Sequence, residues 1–374
     1  MPTGVWIPET IHSRVPEAKD TRLTRRVLGL ALGVFLIGYM LWRADISSVA
    51  DSVRGLSLWP VLVTVLILYL SLPLRVIQWQ LLLGMPSGLS FAQVFKALCL
   101  GYLGNGILPL GGGDVLKACV LADSARLSTA RVLASVVLVR FQDLFPVLLL
   151  ATVAAGTLPL SNKVEHDLQA LLPSGIVFSK TQLAGAVHLV ALSGVILTAC
   201  LVAAYLCRKT LLMSVVKLVP RLSNRSSAWV QHALGQFSAG LGVIAGPKAF
   251  LAGQVVACLC WLIFTLAPIP LLMAFSLDFK QAATSALAVT GLATLGQLIP
   301  VAPGGLGTYH ALCILAVVAF NPAMSRESAV AYALVSHVIG TVSPAVPGLF
   351  LLPGAWNQVQ AARHTQRNRS KETI

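Results

Sequence analysis

Residues 103–114, LGNGILPLGGGD, interrupt a long apolar region of the chain, and this interruption decides the fold. The surrounding region, about 94–122, is apolar enough to lie in a bilayer. Pro109 and the three glycines at 111–113 break a helix there. Non-helical backbone is tolerated at membrane depth only where protein or a wet cavity satisfies its polar groups. We therefore predict a hairpin that enters the membrane and returns to the same side.

A second stretch, LGQLIPVAPGG at 295–305, breaks the apolar region 283–320 in the same way. Three short matches relate the two regions, at offsets of 192 or 188 residues. They are LGNGI at 103–107 with LGQLI at 295–299, Gly112-Gly113 with Gly304-Gly305, and LSFAQ at 89–93 with LDFKQ at 277–281. Because the matches run in the same order, they indicate an internal duplication.

Six further apolar segments are long enough to cross a bilayer as helices. They lie at about 27–42, 56–83, 131–155, 183–207, 249–275 and 329–353. With the two re-entrant hairpins they predict an all-α polytopic membrane protein. Each repeat is then a helix–hairpin–helix unit, the first at about 56–155 and the second, inverted, at about 249–353. Paired broken helices in inverted repeats are typical of transporters whose binding site lies near the midplane.

The composition excludes a soluble globule, since 56% of residues are hydrophobic and only 11% are charged. The net charge of +14 does not indicate nucleic acid, because the basic residues lie between and beyond the apolar runs. Segment 208–248, for example, has six basic residues and no acidic one. We expect one transmembrane domain at 27–353, with cytoplasmic basic tails at 1–26 and 354–374. The expected location is a bacterial inner membrane and the expected partners are membrane lipids.

The turn of the first hairpin carries residues suited to an anion. Gly112 and Gly113 allow close backbone approach to a ligand. Asp114 is placed to cap the following helical piece, and Lys117 lies on the same face three residues later. Two interpretations fit equally well: a phosphate-binding turn, and a capped re-entrant turn with a snorkelling lysine. A Walker loop is excluded because its GK[ST] ending is absent.

Two charged residues, Arg140 and Asp143, lie inside the apolar crossing 131–155. Their i, i+3 spacing predicts that they share a face and pair. Each charge costs about 2.5–3.5 kcal/mol in hydrocarbon. The pair is either a packing contact between helices or a cavity-lining cation for a lipid phosphate, oriented by Asp143; intramembrane charge favours the second. Arg75, near the end of 56–83, is interpreted as an interfacial anchor, with a place at the mouth of the cavity as the alternative.

The second turn, Pro303-Gly304-Gly305 with Gly307, is the counterpart of the first. We expect His310 to face the same cavity, and His337 falls roughly opposite Arg140 in the repeat. Either histidine is a candidate proton relay or simply a hydrogen-bonding side chain. The sequence has no metal-ligand cluster, cofactor loop or nucleophile motif, so we expect neither a cofactor nor an enzyme.

Together these motifs resemble the lysylphosphatidylglycerol synthase transmembrane family, also called flippase-like integral membrane proteins, over about residues 27–353. The matching residues are Arg75 with Trp79-Gln80-Leu81-Leu82, Gly112-Gly113-Asp114 with Lys117, Arg140 with Asp143, and Pro303-Gly304-Gly305-Leu306-Gly307-Thr308. The family often has an acid before the arginine of the third crossing, and arginine and glutamate after the second turn. Here those positions hold Val139, Tyr309 and His310, which counts against carboxylate-based proton coupling.

The resemblance implies a function in lipid movement. Relatives that make lysylphosphatidylglycerol carry a large soluble aminoacyl-transferase domain, whereas about 20 residues follow the last predicted crossing. We therefore expect the translocating half alone, moving an anionic phospholipid or glycolipid between leaflets. One alternative is an accessory protein or enzyme of glycolipid or envelope polysaccharide assembly, with Asp114 and Asp143 as its candidate acid/base pair. A small-solute transporter is another.

Overall fold

The computed structural model describes residues 21–84, 88–107, 111–157, 247–298 and 305–352, with Pro159 and scattered positions between 181 and 203. All regular structure in these ranges is helical. The predicted all-α class is therefore confirmed for the part that the structure describes. The predicted crossing at 183–207 falls largely outside the described residues, as do the C-terminal tail and most of the N-terminal one.

The described helices follow one another in two similar series. They are α1 (Thr21–Arg43), α2 (Ile46–Arg54), α3 (Leu58–Leu82), α4 (Phe91–Ile107), α5 (Gly112–Ala125), α6 (Thr129–Thr157), α7 (Pro247–Leu266), α8 (Pro268–Ala274), α9 (Phe279–Leu298), α10 (Thr308–Phe320) and α11 (Arg326–Val342). A 3₁₀ turn at Ser343–Ala345 follows α11, and helical residues continue to Leu352.

Four helical spans in the described ranges are long and apolar enough to cross a membrane. They are Leu58–Leu82, Thr129–Thr157, Lys248–Ala274 and Arg326–Leu352. Each matches a predicted crossing, so the chain is a multi-pass membrane protein. The predicted first crossing, 27–42, lies in α1, but α1 bends into α2 by 93°. The two helices together make at most a fifth, broken span, and the described residues thus account for four or five of the six predicted crossings.

Both predicted breaks are present, and each separates two antiparallel helices. In the first, α4 ends at Ile107 and α5 begins at Gly112; in the second, α9 ends at Leu298 and α10 begins at Thr308. Glycines at the turns have backbone angles that other residues rarely adopt. The φ values are 71° at Gly111, 70° at Gly305 and 85° at Gly307.

The helices of the first hairpin touch through their backbones. A Cβ added to Gly113 would lie 2.0 Å from the carbonyl oxygen of Gly101 and 2.3 Å from the amide nitrogen of Asn105. One added to Gly104 would lie 2.8 Å from the Cα atom of Gly113. Small residues are what allow helices to approach closely in lipid, where apolar burial alone does not distinguish one partner from another.

The second hairpin closes by a similar contact. A Cβ on Gly296 would lie 2.6 Å from the carbonyl oxygen of Thr308. The Thr308 hydroxyl donates a 2.6 Å hydrogen bond to the carbonyl of Gly296. At the other end of the hairpin, the side-chain amide of Asn321 donates a 2.6 Å hydrogen bond to Ser285 Oγ. The two helices are therefore joined at both ends.

Each hairpin also packs against the other unit. In the first unit α3 and α6 flank α4–α5, and in the second α7–α8 and α11 flank α9–α10. Gly291 of α9 lies against the Leu150 carbonyl of α6, at 2.7 Å from a built Cβ. Gly348, beyond α11, lies against the Cys99 carbonyl of α4, at 2.5 Å. The two units therefore interlock around their hairpins.

Replacing Gly113 with alanine tests the close contact in the first hairpin. The added methyl group would collide with backbone atoms that cannot move independently, so we expect Gly113→Ala to lower the free energy of unfolding by about 1–3 kcal/mol. The measurement is the melting temperature in detergent. Gly106→Ala, in the same hairpin, has nothing within 4 Å of the built Cβ and should be neutral or stabilising. Equal destabilisation by both variants would contradict the interpretation.

Candidate functional site

Asp114 lies in the first turn of α5 and binds two cations. Arg140 of α6 donates from Nε to Oδ2 at 2.9 Å and from Nη2 to Oδ1 at 3.0 Å. Lys117 Nζ lies 2.8 Å from Oδ1. Such bidentate contacts fix the geometry of the arginine as well as its charge. The predicted capping role of Asp114 is wrong: Gly111 precedes α5 and no side chain caps the helix.

The second ion pair joins Arg75 of α3 to Asp143 of α6. Arg75 Nη1 donates to the Asp143 carboxylate and, at 2.9 Å, to Gln78 Oε1. Trp261 of α7 donates its indole N–H to Asp143 at 3.2 Å. The guanidinium lies 5.9 Å from the Trp261 ring centroid and 5.3 Å from that of Phe264. Arg75 is therefore a buried ion-pair residue, and its interpretation as an interfacial anchor is wrong.

The predicted pairing of Arg140 with Asp143 on one helix is also wrong. Arg140 instead pairs with Asp114 of α5, and Asp143 pairs with Arg75 of α3. The two pairs differ in exposure. The side chains of Arg75 and Asp143 are 8% and 11% exposed, whereas that of Arg140 is 54% exposed.

Lys117 is covered by protein. Its side chain is 9% exposed, and Nζ lies 5.4 Å from the centroid of the Trp79 ring. Trp79 in turn donates its indole N–H to Ser135 Oγ at 2.8 Å. This placement does not fit a snorkelling lysine, which keeps its ammonium in water. Lys117 and Arg140 contact the same carboxylate, that of Asp114.

A chain of hydrogen-bonded glutamine side chains connects the site to α7 of the second unit. Gln78 donates to Gln142 Oε1 at 3.2 Å, and Gln142 donates to the Phe250 carbonyl of α7 at 2.7 Å. Gln254 of α7 donates to the Gln142 carbonyl at 3.1 Å. Gly253 leaves the room for this contact, since its built Cβ would lie 2.9 Å from Gln142 Oε1. Sequence reasoning missed these amides because their partners lie on other helices.

The second glycine turn packs against α1. A Cβ on Gly307 would lie 2.7 Å from the Cβ atom of Leu36, and one on Gly305 would lie 2.7 Å from the Cα atom of Gln297. Protein atoms therefore fill the space around both glycines. Pro303 and Gly304, which complete the predicted turn, lie outside the described residues.

His310 and His337 form a separate, buried pair. The Gly307 amide donates to His310 Nδ1 at 3.3 Å, so the neutral ring carries its proton on Nε2. His310 Nε2 lies 3.2 Å from His337 Nδ1, which it reaches as a donor. The Tyr309 ring covers His337, with centroids 4.6 Å apart. The pair is a directional chain of hydrogen bonds from the second turn into α11.

His310 borders a small apolar cleft between α1, α10 and α11. Its lining residues are Ile37, Met40, Leu41, His310, Ile314, Val330 and Leu334. None of the hydrogen bonds of His310 reaches the charged residues of the first unit within the described ranges. The structure therefore brings Asp114, Lys117 and Arg140 together but does not place His310 with them.

The chain is thus a helical multi-pass membrane protein. It has two helical hairpins that turn at glycines, and ion pairs connect its spanning helices. The chain belongs to the family described as the lysylphosphatidylglycerol synthase TM region, whose model matches residues 26–348. The family resemblance inferred from the sequence motifs is thereby confirmed.

Two relatives are similar to this chain, both at the same level of sequence identity. The UPF0104 membrane protein of Methanothermobacter thermautotrophicus is 24% identical over 322 residues, covering 82% of this chain and 90% of the relative. Glycosyltransferase AglD of Haloferax volcanii is 24% identical over 362 residues, covering 92% of this chain. The chain spans 56% of the length of that glycosyltransferase. No solved structure matches the chain.

Removing the cation of the buried pair should unfold the protein more readily. Arg75→Met leaves the Asp143 carboxylate buried without a partner, and we expect the free energy of unfolding to fall by about 3–5 kcal/mol. Chemical denaturation in detergent measures this change. The double variant Arg75→Met with Asp143→Asn removes the uncompensated charge and should recover most of the loss. A double variant as unstable as the single one would refute the ion-pair explanation.

Proposed function

We propose that this protein moves a phosphate-bearing lipid, either an anionic phospholipid or a glycolipid, between membrane leaflets. The observation that carries the proposal is the half-exposed guanidinium of Arg140 within an apolar spanning helix. Arg140 lies about 16 Å along α6 from Thr129, roughly half the thickness of a bilayer core. A cation at that depth costs about 2.5–3.5 kcal/mol unless it faces a polar cavity or a ligand.

The charges around Arg140 are arranged to receive an anion. Arg140 and Lys117 share the single carboxylate of Asp114, so this group keeps one excess positive charge. Arg140 Nη1 makes no hydrogen bond to the described residues. A lipid phosphate would bind at Nη1 or take the place of Asp114 in the arginine fork. α5 begins beside Arg140 with Gly112 and Gly113. The backbone amides at a helix N-terminus favour an anion.

The architecture supports a transporter in which two related units move against each other. Both units have the order long helix, hairpin, long helix, and each hairpin packs against the other unit. In our proposal the units are inverted and both termini face the cytoplasm, so the hairpins enter from opposite sides. The second turn, with Pro303-Gly304-Gly305, Gly307 and His310, would act as the moving counterpart of the first. The relatives of this chain include archaeal proteins, so the proposal does not depend on a bacterial membrane.

Loss of the Arg140 charge should slow lipid movement. We expect Arg140→Ala to reduce the transbilayer rate of a headgroup-labelled anionic lipid at least about tenfold, since a charged hydrogen bond contributes about 1.5–3 kcal/mol. The assay uses liposomes reconstituted with the full chain and compared with protein-free liposomes. Arg54→Ala removes one exposed arginine of α2 and should retain the wild-type rate. Identical rates for Arg140→Ala and wild type would exclude the proposed role.

A second candidate is an enzyme of glycolipid assembly, which is favoured by the relative named Glycosyltransferase AglD. Such an enzyme needs a group that takes up or gives a proton in the reaction. The candidate pair, Asp114 and Asp143, is held in ion pairs by Lys117, Arg140 and Arg75, so neither carboxylate is free to act on a substrate in this arrangement. Sugar transfer by the purified chain in detergent, without any bilayer, would support this candidate over a translocator.

A further inference from the structure

Arg75 is a buried arginine with only part of its hydrogen-bonding capacity in use. Both of its hydrogen bonds to described residues leave from Nη1, toward Gln78 and Asp143. Nε is buried and has no hydrogen-bond partner, and Nη2 donates to none of the described residues. A buried donor without an acceptor is costly, and native structures rarely retain one.

The uncommitted edge of Arg75 is the one that binds oxyanions. The N–H groups of Nε and Nη2 point in the same direction and form the fork that matches two oxygens of a carboxylate or phosphate. Arg140 uses this same edge on Asp114. Arg75 thus has its cationic charge balanced by Asp143 through Nη1, while its open edge, Nε with Nη2, has no hydrogen-bond partner among the described residues.

The surroundings of Arg75 hold the guanidinium in place for such a contact. Trp261 and Phe264 cover it with their rings, and Gln78 and Asp143 fix Nη1. An arginine held in this way loses little further freedom when it binds, which favours a preorganised subsite.

Arg75 and Arg140 lie close enough to act on one ligand. Arg75 pairs with Asp143 of α6. Asp143 is three residues from Arg140 on the same helix, which corresponds to about 5–6 Å on a helix surface. A single polar head group can therefore span the two positions.

We infer that Arg75 is a second oxyanion subsite and that the lipid head group is a diphosphate, an inference that rests on the proposed function. Two arginine forks require four acceptor oxygens. A phosphodiester has two non-bridging oxygens and a phosphate monoester three, whereas a lipid diphosphate has five on two adjacent phosphoryl groups. One phosphoryl group contacts Arg140, in the place of Asp114, and the other contacts the open edge of Arg75.

The test compares two prenyl probes that differ by one phosphoryl group. Farnesyl diphosphate and farnesyl monophosphate are titrated into the full-length chain in detergent, and each Kd is measured by calorimetry. We expect wild type to bind the diphosphate at least tenfold more tightly. Equal affinities would overturn the inference without any variant being needed.

Arg75→Lys assigns the preference to the open edge. Lysine keeps a cation beside Asp143 but lacks the fork, so the diphosphate affinity should fall about tenfold to that of the monophosphate. The monophosphate affinity should stay near wild type, and the melting temperature without ligand should fall less than it does for Arg75→Met. An intact diphosphate preference in Arg75→Lys would show that Arg75 is purely structural.

Arg140→Ala separates this inference from the proposed function. If Arg140→Ala weakens binding of both probes while Arg75→Lys changes neither, the subsite at Arg75 is wrong and the proposed function stands. If Arg140→Ala leaves both affinities unchanged, the proposed function itself fails.

Discussion

The carboxylates of Asp114 and Asp143 fix how the helices of the first unit are aligned. Apolar packing gives weak preference for one helix position over another in lipid, because acyl chains are as apolar as the side chains. Asp114 joins α5 to α6, and Asp143 joins α6 to α3 and to Trp261 of α7. Since α6 takes part in both ion pairs, a shift of this helix would disturb both at once. The rest of the site depends on that alignment.

The two halves of the domain use polar groups differently. The first unit concentrates its charges around α6, whereas the second unit has the hydrogen-bonded pair His310 and His337, which the Gly307 amide connects to the turn. Two units with the same order of long helix, hairpin and long helix therefore carry different polar groups. The glycine contacts that close the hairpins are what the units have in common, at Gly113 against Gly101 and at Gly296 against Thr308.

The sequence was sufficient for the helix breaks and the spanning segments because both depend on local properties. Proline and glycine clusters act on the local backbone, and apolar length is counted along the chain. The ion-pair partners could not be predicted, because they depend on which helices become neighbours. Spacing suggested Arg140 with Asp143, but α3 and α5 supply nearer partners. Arg75 did carry a usable signal: an arginine inside an apolar segment, several residues before its end, is costly unless paired.

Leu36 of α1 packs directly against Gly307 of the second glycine turn. Leu36 fills the space where any other residue would carry its Cβ, so α1 and the start of α10 behave as one fitted surface. A displacement of that turn must carry α1 along or separate the two. Because α1 continues into α2 at an angle of 93°, a displacement of α1 along its own axis would move α2 sideways.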